Sequence, residues 1–194
     1  MQYTEKGIDP EIDMGPLVAI VGIWSGKNGR DISPEPDGVE DNAYYETMSF
    51  RLTRRVSNAE EQKLAAVQYH QLVQRQTNDK ILHDQCGYWA WDAATNTLMH
   101  VFSIPRGVTV VAGGTATQND RGDWLFEVRA AAGDVKWNIS EAPFMQKKAR
   151  TRSFTQSLRL GKNSLSYRQS SILDIYGREF EHTEENVLTR QSSE

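Results

Sequence analysis

Apolar and polar residues alternate along much of this chain, in short stretches separated by turn residues. The stretch from Tyr44 to Leu52 is typical, because its apolar side chains fall mainly at alternate positions. Successive side chains of a strand point to opposite faces, so this pattern predicts strands with one buried face. The residues from Gly161 to Ser164 are a hairpin signal between two such stretches. The other predicted strands are 67–75, 81–92, 98–104, 108–112, 125–130, 152–160, 165–175 and 183–190.

Three segments interrupt the strand pattern. Asn58 to Leu64 predicts a short helical turn with Asn58 as its N-cap, and Pro143 to Lys148 predicts another. Arg30 to Glu40 is expected to be a loop. Roughly ten short strands with tight turns predict an all-β antiparallel up-and-down barrel of the calycin type, or else a β-sandwich. The barrel is preferred because closure leaves no exposed sheet edge, and it also encloses a cavity.

One domain is predicted. Residues 1–14 are polar and are interpreted as an N-terminal leader, residues 15–190 as the barrel, and residues 191–194 as a frayed tail. The length of 194 residues suits one well-filled core and is short for two.

Charge and composition narrow the class of partner. The chain has 22 basic and 26 acidic residues, a net charge of −4, which argues against binding to nucleic acid. Its longest apolar stretch, Pro16 to Ile23, is too short to span a bilayer, and its N-terminus lacks the pattern of a signal peptide. A cytoplasmic protein without a membrane span is therefore expected. The oligomeric state stays open, a homodimer being one option.

Cys86 is the only cysteine, so an intramolecular disulfide and zinc sites built from several cysteines are excluded. A lone cysteine on a strand is usually a small buried hydrophobe, and this is the environment expected for Cys86. No catalytic residue is assigned, because phosphate-binding loops and nucleophile elbows are absent from the sequence.

Three motifs stand out along the chain, and their order is as informative as their residues. In the first, from Gly22 to Gly29, Trp24 lies among glycines that let the backbone bend closely around a core side chain. In the third, His182 lies shortly before the last strand. The second motif spans two strands and consists of Tyr69, Gln71, His83, Gly87 and Tyr88.

These motifs resemble the nitrobindin family, haem-binding β-barrels related to fatty-acid-binding proteins and lipocalins. The resemblance implies haem b as the cofactor, with His182 as the axial ligand of ferric iron and His83 on the distal side. Trp24 is grouped with the pocket residues, although a core position without ligand contact is its preferred interpretation. The resemblance also implies nitric oxide binding and the isomerisation of peroxynitrite to nitrate. Whether the chain is an enzyme stays open.

Two other functions stay open. A haem-free intracellular carrier of a small hydrophobic or amphipathic ligand would pair a ligand carboxylate with Arg106, or with an inward Arg129 or Arg168. A barrel whose interior is filled by its own side chains would hold no ligand, and its role would instead be interaction with a partner.

Each histidine also has a purely structural interpretation. His182 would be a solvated residue among glutamates, and His83 a polar residue that lines the barrel. Alternation places His83, Gln85 and Gly87 on one face of their strand. No role is assigned to His70, expected on the outer face, or to His100.

Overall fold

The computed structural model describes residues 13–53 and 56–192, so the predicted leader lies almost entirely outside the described residues. Ten long antiparallel strands form a closed barrel, which confirms the predicted fold class over the sandwich. No helix among the described residues is long and apolar enough to cross a bilayer. The elements in chain order are a 3-10 helix Gly15–Ile20, β1 Gly22–Glu35, β2 Gly38–Leu52, β3 Val56–Asn58, β4 Gln62–Arg75, β5 Ile81–Asp92, β6 Thr97–Ile104, β7 Val108–Gln118, β8 Trp124–Ala131, β9 Ile139–Glu141, α1 Pro143–Lys148, β10 Ala149–Leu160, β11 Ser164–Ile175 and β12 Arg178–Arg190.

The long strands pair in chain order, and the barrel closes where β1 pairs with β12. In that register Trp24 is opposite Arg190, and Asp31 is opposite Glu184. The two short strands are additions, since β3 pairs only with the start of β4, and β9 pairs with β7. Closure therefore makes neighbours of residues from the two ends of the chain.

The segment after Asn58 is a hairpin turn, so the helical turn predicted there is wrong. The turn residues Ala59 and Glu60 have φ values of 51° and 61°, a left-handed conformation that cannot continue a right-handed helix. The Asn58 amide donates to the Gln62 side chain at 2.8 Å across the hairpin instead of capping a helix. The second predicted helical turn is confirmed by α1.

The loop predicted for Arg30 to Glu40 is also wrong, because β1 and β2 extend through most of it. Arg30 donates to Asp41 across these strands at 2.7 and 3.0 Å on the outer face. Asp31 points inward and is only 5% exposed. Both faces of the hairpin are polar at this end of the barrel, so the apolar alternation that reveals other strands is missing.

One end of the barrel interior, which we call the apolar end, is closed around Trp24. This side chain is fully buried, and its indole N–H donates to the Ile20 carbonyl at 2.8 Å. The Arg190 guanidinium lies 4.1 Å from the indole ring centroid, a cation–π contact. The other large side chains that fill this end are Leu17, Val67, Trp91, Leu98, Phe126, Leu158, Leu160, Leu165 and Leu188.

Glycines of the Trp24 motif allow β1 to pass close to its neighbours. A Cβ on Gly29 would overlap the Tyr44 ring, and a Cβ on Gly26 would lie 3.1 Å from the Asn186 amide. The β1–β2 ladder changes register between these two glycines, so the motif marks a bulge.

Candidate functional site

Ionisable side chains meet inside the opposite end of the barrel, the polar end. We call Asp31, His83, His182 and Glu184 the histidine–carboxylate cluster. The His182 Nε2 atom lies 2.6 Å from Asp31 Oδ1 and 3.5 Å from Glu184 Oε1. The His83 Nδ1 atom lies 3.9 Å from the same Oε1 atom. Ligand atoms of Asp31, His182 and Glu184 all lie within 4.8 Å of one another.

Strand alternation and barrel closure together produce this cluster. His182 and Glu184 are two residues apart on β12 and therefore share its inward face. Pairing of β1 with β12 brings in Asp31, although it is 151 positions from His182 in the sequence. His83 comes from β5, which pairs with neither of those strands.

Asp31 and His182 form a charged pair. Burial raises the pKa of Asp31, but hydrogen bonds from His182, Asn42 and Ser33 outweigh it and hold the pKa below its usual value. Burial likewise lowers the pKa of His182, while the hydrogen bond to Asp31 and the charges of Glu184 and Asp31 raise it further than that. The Arg106 charge opposes this rise. The two directions agree, since the lowered pKa of Asp31 and the raised pKa of His182 both favour the charged pair.

Hydrogen bonds fix the outer atoms of the cluster. Asp31 accepts from Ser33 at 2.9 Å and from Asn42 at 3.2 Å. The Oε2 atom of Glu184 accepts from Gln169 at 2.6 Å, and Gln169 in turn accepts from Gln156 at 3.0 Å.

His83 begins a chain of bonds that runs into the core. Its Nε2 atom lies 2.7 Å from Gln85 Oε1, and the Gln85 amide donates to the Tyr69 hydroxyl. The Tyr69 hydroxyl lies 2.6 Å from His100 Nε2. Because a glutamine carbonyl only accepts, His83 carries its proton on Nε2 and presents the Nδ1 lone pair to the cluster when neutral.

A second buried network surrounds Glu46, between the cluster and the apolar end. Burial raises the pKa of Glu46 to about 8, although bonds from Asn186, Tyr167 and Gln71 oppose the rise. The Tyr167 hydroxyl donates to the Glu46 carboxyl group, 3.1 Å from each of its oxygens, and lies 2.7 Å from the Tyr44 hydroxyl. Tyr44 then donates to a backbone carbonyl at 3.1 Å. Glu46 is therefore a neutral structural acid near pH 7.

His100 is the buried histidine that the sequence analysis left without a role. Its ring stacks on Trp89 with centroids 4.0 Å apart and an interplanar angle of 9°. Burial lowers the pKa of His100 to about 3, so the ring is neutral. Alternation along β6 could have revealed it, because His100 shares a face with Leu98 and Phe102.

The predicted site residues divide between the two ends of the barrel. His182 and His83 meet in the cluster, whereas Trp24 lies at the apolar end, in agreement with its core interpretation. The ligand roles of all three stay predictions. Asp31, Glu184 and Glu46 were missed, since their partners come from strands that are distant in sequence.

Other placements are corrected by the structure. Cys86 is exposed, so its predicted burial is wrong: alternation puts it on the outer face of β5. Arg129 and Arg168 are exposed as well and line a cleft of about 420 Å³ with residues of β7 and β10, so neither points into the barrel. Arg106 is exposed, but its charge acts on His182. His70 lies outside, as expected, 2.8 Å from Asp84.

Comparisons with known proteins agree with this fold. None of the curated proteins matches the chain. The crystal structure of Rv2717c from M. tuberculosis is similar, with 21% identity and a TM-score of 0.67 over 93% of this chain and 100% of that one. At this identity the likeness shows the fold alone. Residues 13–190 match the family described as THAP4-like, heme-binding beta-barrel domain. This match covers most of the chain and confirms the resemblance to the nitrobindin family, so the chain belongs to the THAP4-like heme-binding β-barrel family.

Proposed function

We propose that this ligand-binding barrel holds its ligand at the histidine–carboxylate cluster, with His182 as the anchoring side chain. One observation carries the proposal: two buried carboxylates and His182, from the first and last long strands, meet within 4.8 Å inside the barrel, and His83 of a third strand lies 3.9 Å from one of the carboxylates. Burying charges costs free energy unless they are paired, and a barrel needs no such group in order to close. Perturbed ionisable groups concentrate at functional sites, which supports the same assignment.

The chain contains an internal comparison for this argument. His70 and Asp84 also form a histidine–aspartate pair, at 2.8 Å, but their side chains are 52% and 44% exposed. Such a surface pair is an ordinary solvated contact. The His182–Asp31 pair has the same chemistry, with side chains 24% and 7% exposed and a second carboxylate beside it.

Haem is the ligand named by the family description, and when bound it would supply a ferric iron for nitric oxide binding and peroxynitrite isomerisation. The arrangement of the cluster does not fit it. The His182 Nε2 atom is bonded to Asp31, so a haem iron on that nitrogen would have to push the carboxylate aside, whereas a small cation could keep it as a ligand. The groups around His182 are carboxylates and amides, whereas the haem macrocycle needs an apolar lining.

The alternative ligand is a small amphipathic acid, in a haem-free carrier. One observation favours it, since the Arg106 charge reaches His182 and both groups could face an anionic head group. The carboxylates of Asp31 and Glu184 oppose it by repelling the same anion.

Two measurements test the proposal. Native mass spectrometry of the freshly purified chain is expected to show a bound mass that is absent from His182→Ala and retained in His70→Ala. Titration with hemin is expected to give no Soret shift that depends on His182. A saturable shift lost in His182→Ala would restore the haem assignment and justify assays with peroxynitrite. If no bound mass, hemin shift or metal binding depends on His182, the cluster is not a ligand site.

A further inference from the structure

We propose that Asp31, His182 and Glu184 bind a divalent first-row metal ion, with a fourth position open to solvent or to a small ligand. The inference rests on the proposed function, since it takes the cluster to be the ligand site, and it names the ligand class. Imidazole nitrogen and carboxylate oxygen are donors that Zn²⁺, Co²⁺ and Fe²⁺ accept.

The spacing of the donor atoms fits a small cation. Bonds of about 2.0–2.2 Å from metal to nitrogen or oxygen place two ligands of one ion about 3–4 Å apart. The separation of His182 Nε2 from Glu184 Oε1 is 3.5 Å, and ligand atoms of Asp31, His182 and Glu184 all lie within 4.8 Å of one another. Asp31 Oδ1 is closer to His182, at 2.6 Å, because a proton joins them. The ion would displace that proton to solvent, and the two atoms would separate by under an ångström.

The charge of the cluster is the second observation that points to a cation. Asp31 and Glu184 are 5% and 4% exposed, and both lie against His182, whose single positive charge can balance only one carboxylate. A buried carboxylate without a counter-ion costs free energy, and a divalent cation held between the two would balance both.

The surrounding bonds orient each donor as they do in known metal sites. Gln169 holds the other oxygen of Glu184, and Asn42 and Ser33 hold the other oxygen of Asp31. Such partners fix the orientation and tautomer of metal ligands. The surface pair of His70 and Asp84 has no third donor of this kind among the described residues.

The test uses the full chain stripped with a chelator and titrated with Zn²⁺ by calorimetry. We expect one equivalent to bind, with affinity reduced at least tenfold in Asp31→Asn and in Glu184→Gln, and unchanged in His70→Ala and Asp84→Asn. Circular dichroism checks that each variant is folded. Titration with Co²⁺ provides a second readout, since visible bands of a four-coordinate site are expected and should be lost in His182→Ala.

Several results would overturn the metal assignment. These are the absence of saturable binding, binding that survives both carboxylate variants, and binding that the His70→Ala control removes. If Zn²⁺ fails but native mass spectrometry shows a mass that depends on His182, the metal inference falls and the proposed ligand site stands. If both fail, the proposed function falls with it.

Discussion

The two ends of this barrel are built by opposite means. At the apolar end, Trp24 and its leucine neighbours are stabilised because their apolar surface is removed from water, and Arg190 lies over the indole ring. At the polar end, each buried group depends on a named hydrogen-bond partner, as Asp31 does on His182. Apolar packing tolerates small shifts, whereas a buried charge that loses its partner does not. The apolar end therefore gives stability, and the polar end holds the paired buried charges on which the proposed function rests.

The largest expected effect is at the apolar end. Trp24→Ala should reduce the free energy of unfolding by about 3–5 kcal/mol, because a cavity replaces a fully buried indole. Denaturant unfolding measures the loss, and Ile23→Ala, at an exposed neighbour, is the control. A loss below about 1 kcal/mol would mean that the barrel is not closed around this residue.

Glu46 should make stability fall as pH rises. The folded chain keeps this proton to about pH 8, whereas the unfolded chain releases it near 4.5. Between these values the folded state binds more protons, so the free energy of unfolding declines by up to about 1.4 kcal/mol per pH unit. Glu46→Gln should flatten that slope, as measured by urea unfolding from pH 5 to 8. The exposed control Glu179→Gln should retain it, and an equal slope in Glu46→Gln would refute the neutral assignment.

His100 should act in the opposite direction. Its folded pKa of about 3 lies below the ordinary 6.5, so the unfolded chain binds more protons between these values. Stability is therefore full above pH 6.5 and declines as pH falls, again by up to about 1.4 kcal/mol per unit. His100→Phe should reduce this decline between pH 6.5 and 4, while Trp89 keeps a ring to stack on. A decline of unchanged steepness would place the acid sensitivity elsewhere.

The smallest effect is expected on the outer face. His70→Ala should change the free energy of unfolding by less than about 0.5 kcal/mol, because exposed ion pairs contribute little. His182→Ala should cost more, since it leaves Asp31 and Glu184 buried without their shared cation. Equal effects of the two substitutions would remove the distinction between the surface pair and the cluster.

The sequence was sufficient for the fold and insufficient for the site. Alternation located nine of the ten long strands and the inward face of β5, including His83 and Gln85. It failed for Arg30 to Glu40, since strand recognition depends on apolar residues and this hairpin has polar ones on both faces. Asp31 could not be assigned for a different reason, because its partners depend on the register in which β1 meets β12.

Pairing of the first and last long strands also constrains how the protein is made. Trp24 and Arg190 meet across that seam, and so do Asp31 and His182. During synthesis the barrel stays open, and the histidine–carboxylate cluster does not exist, until the ribosome has released β12. Contacts between residues so distant in sequence slow folding. A ligand of the cluster would therefore bind only the completed barrel, and its binding would report that folding has finished.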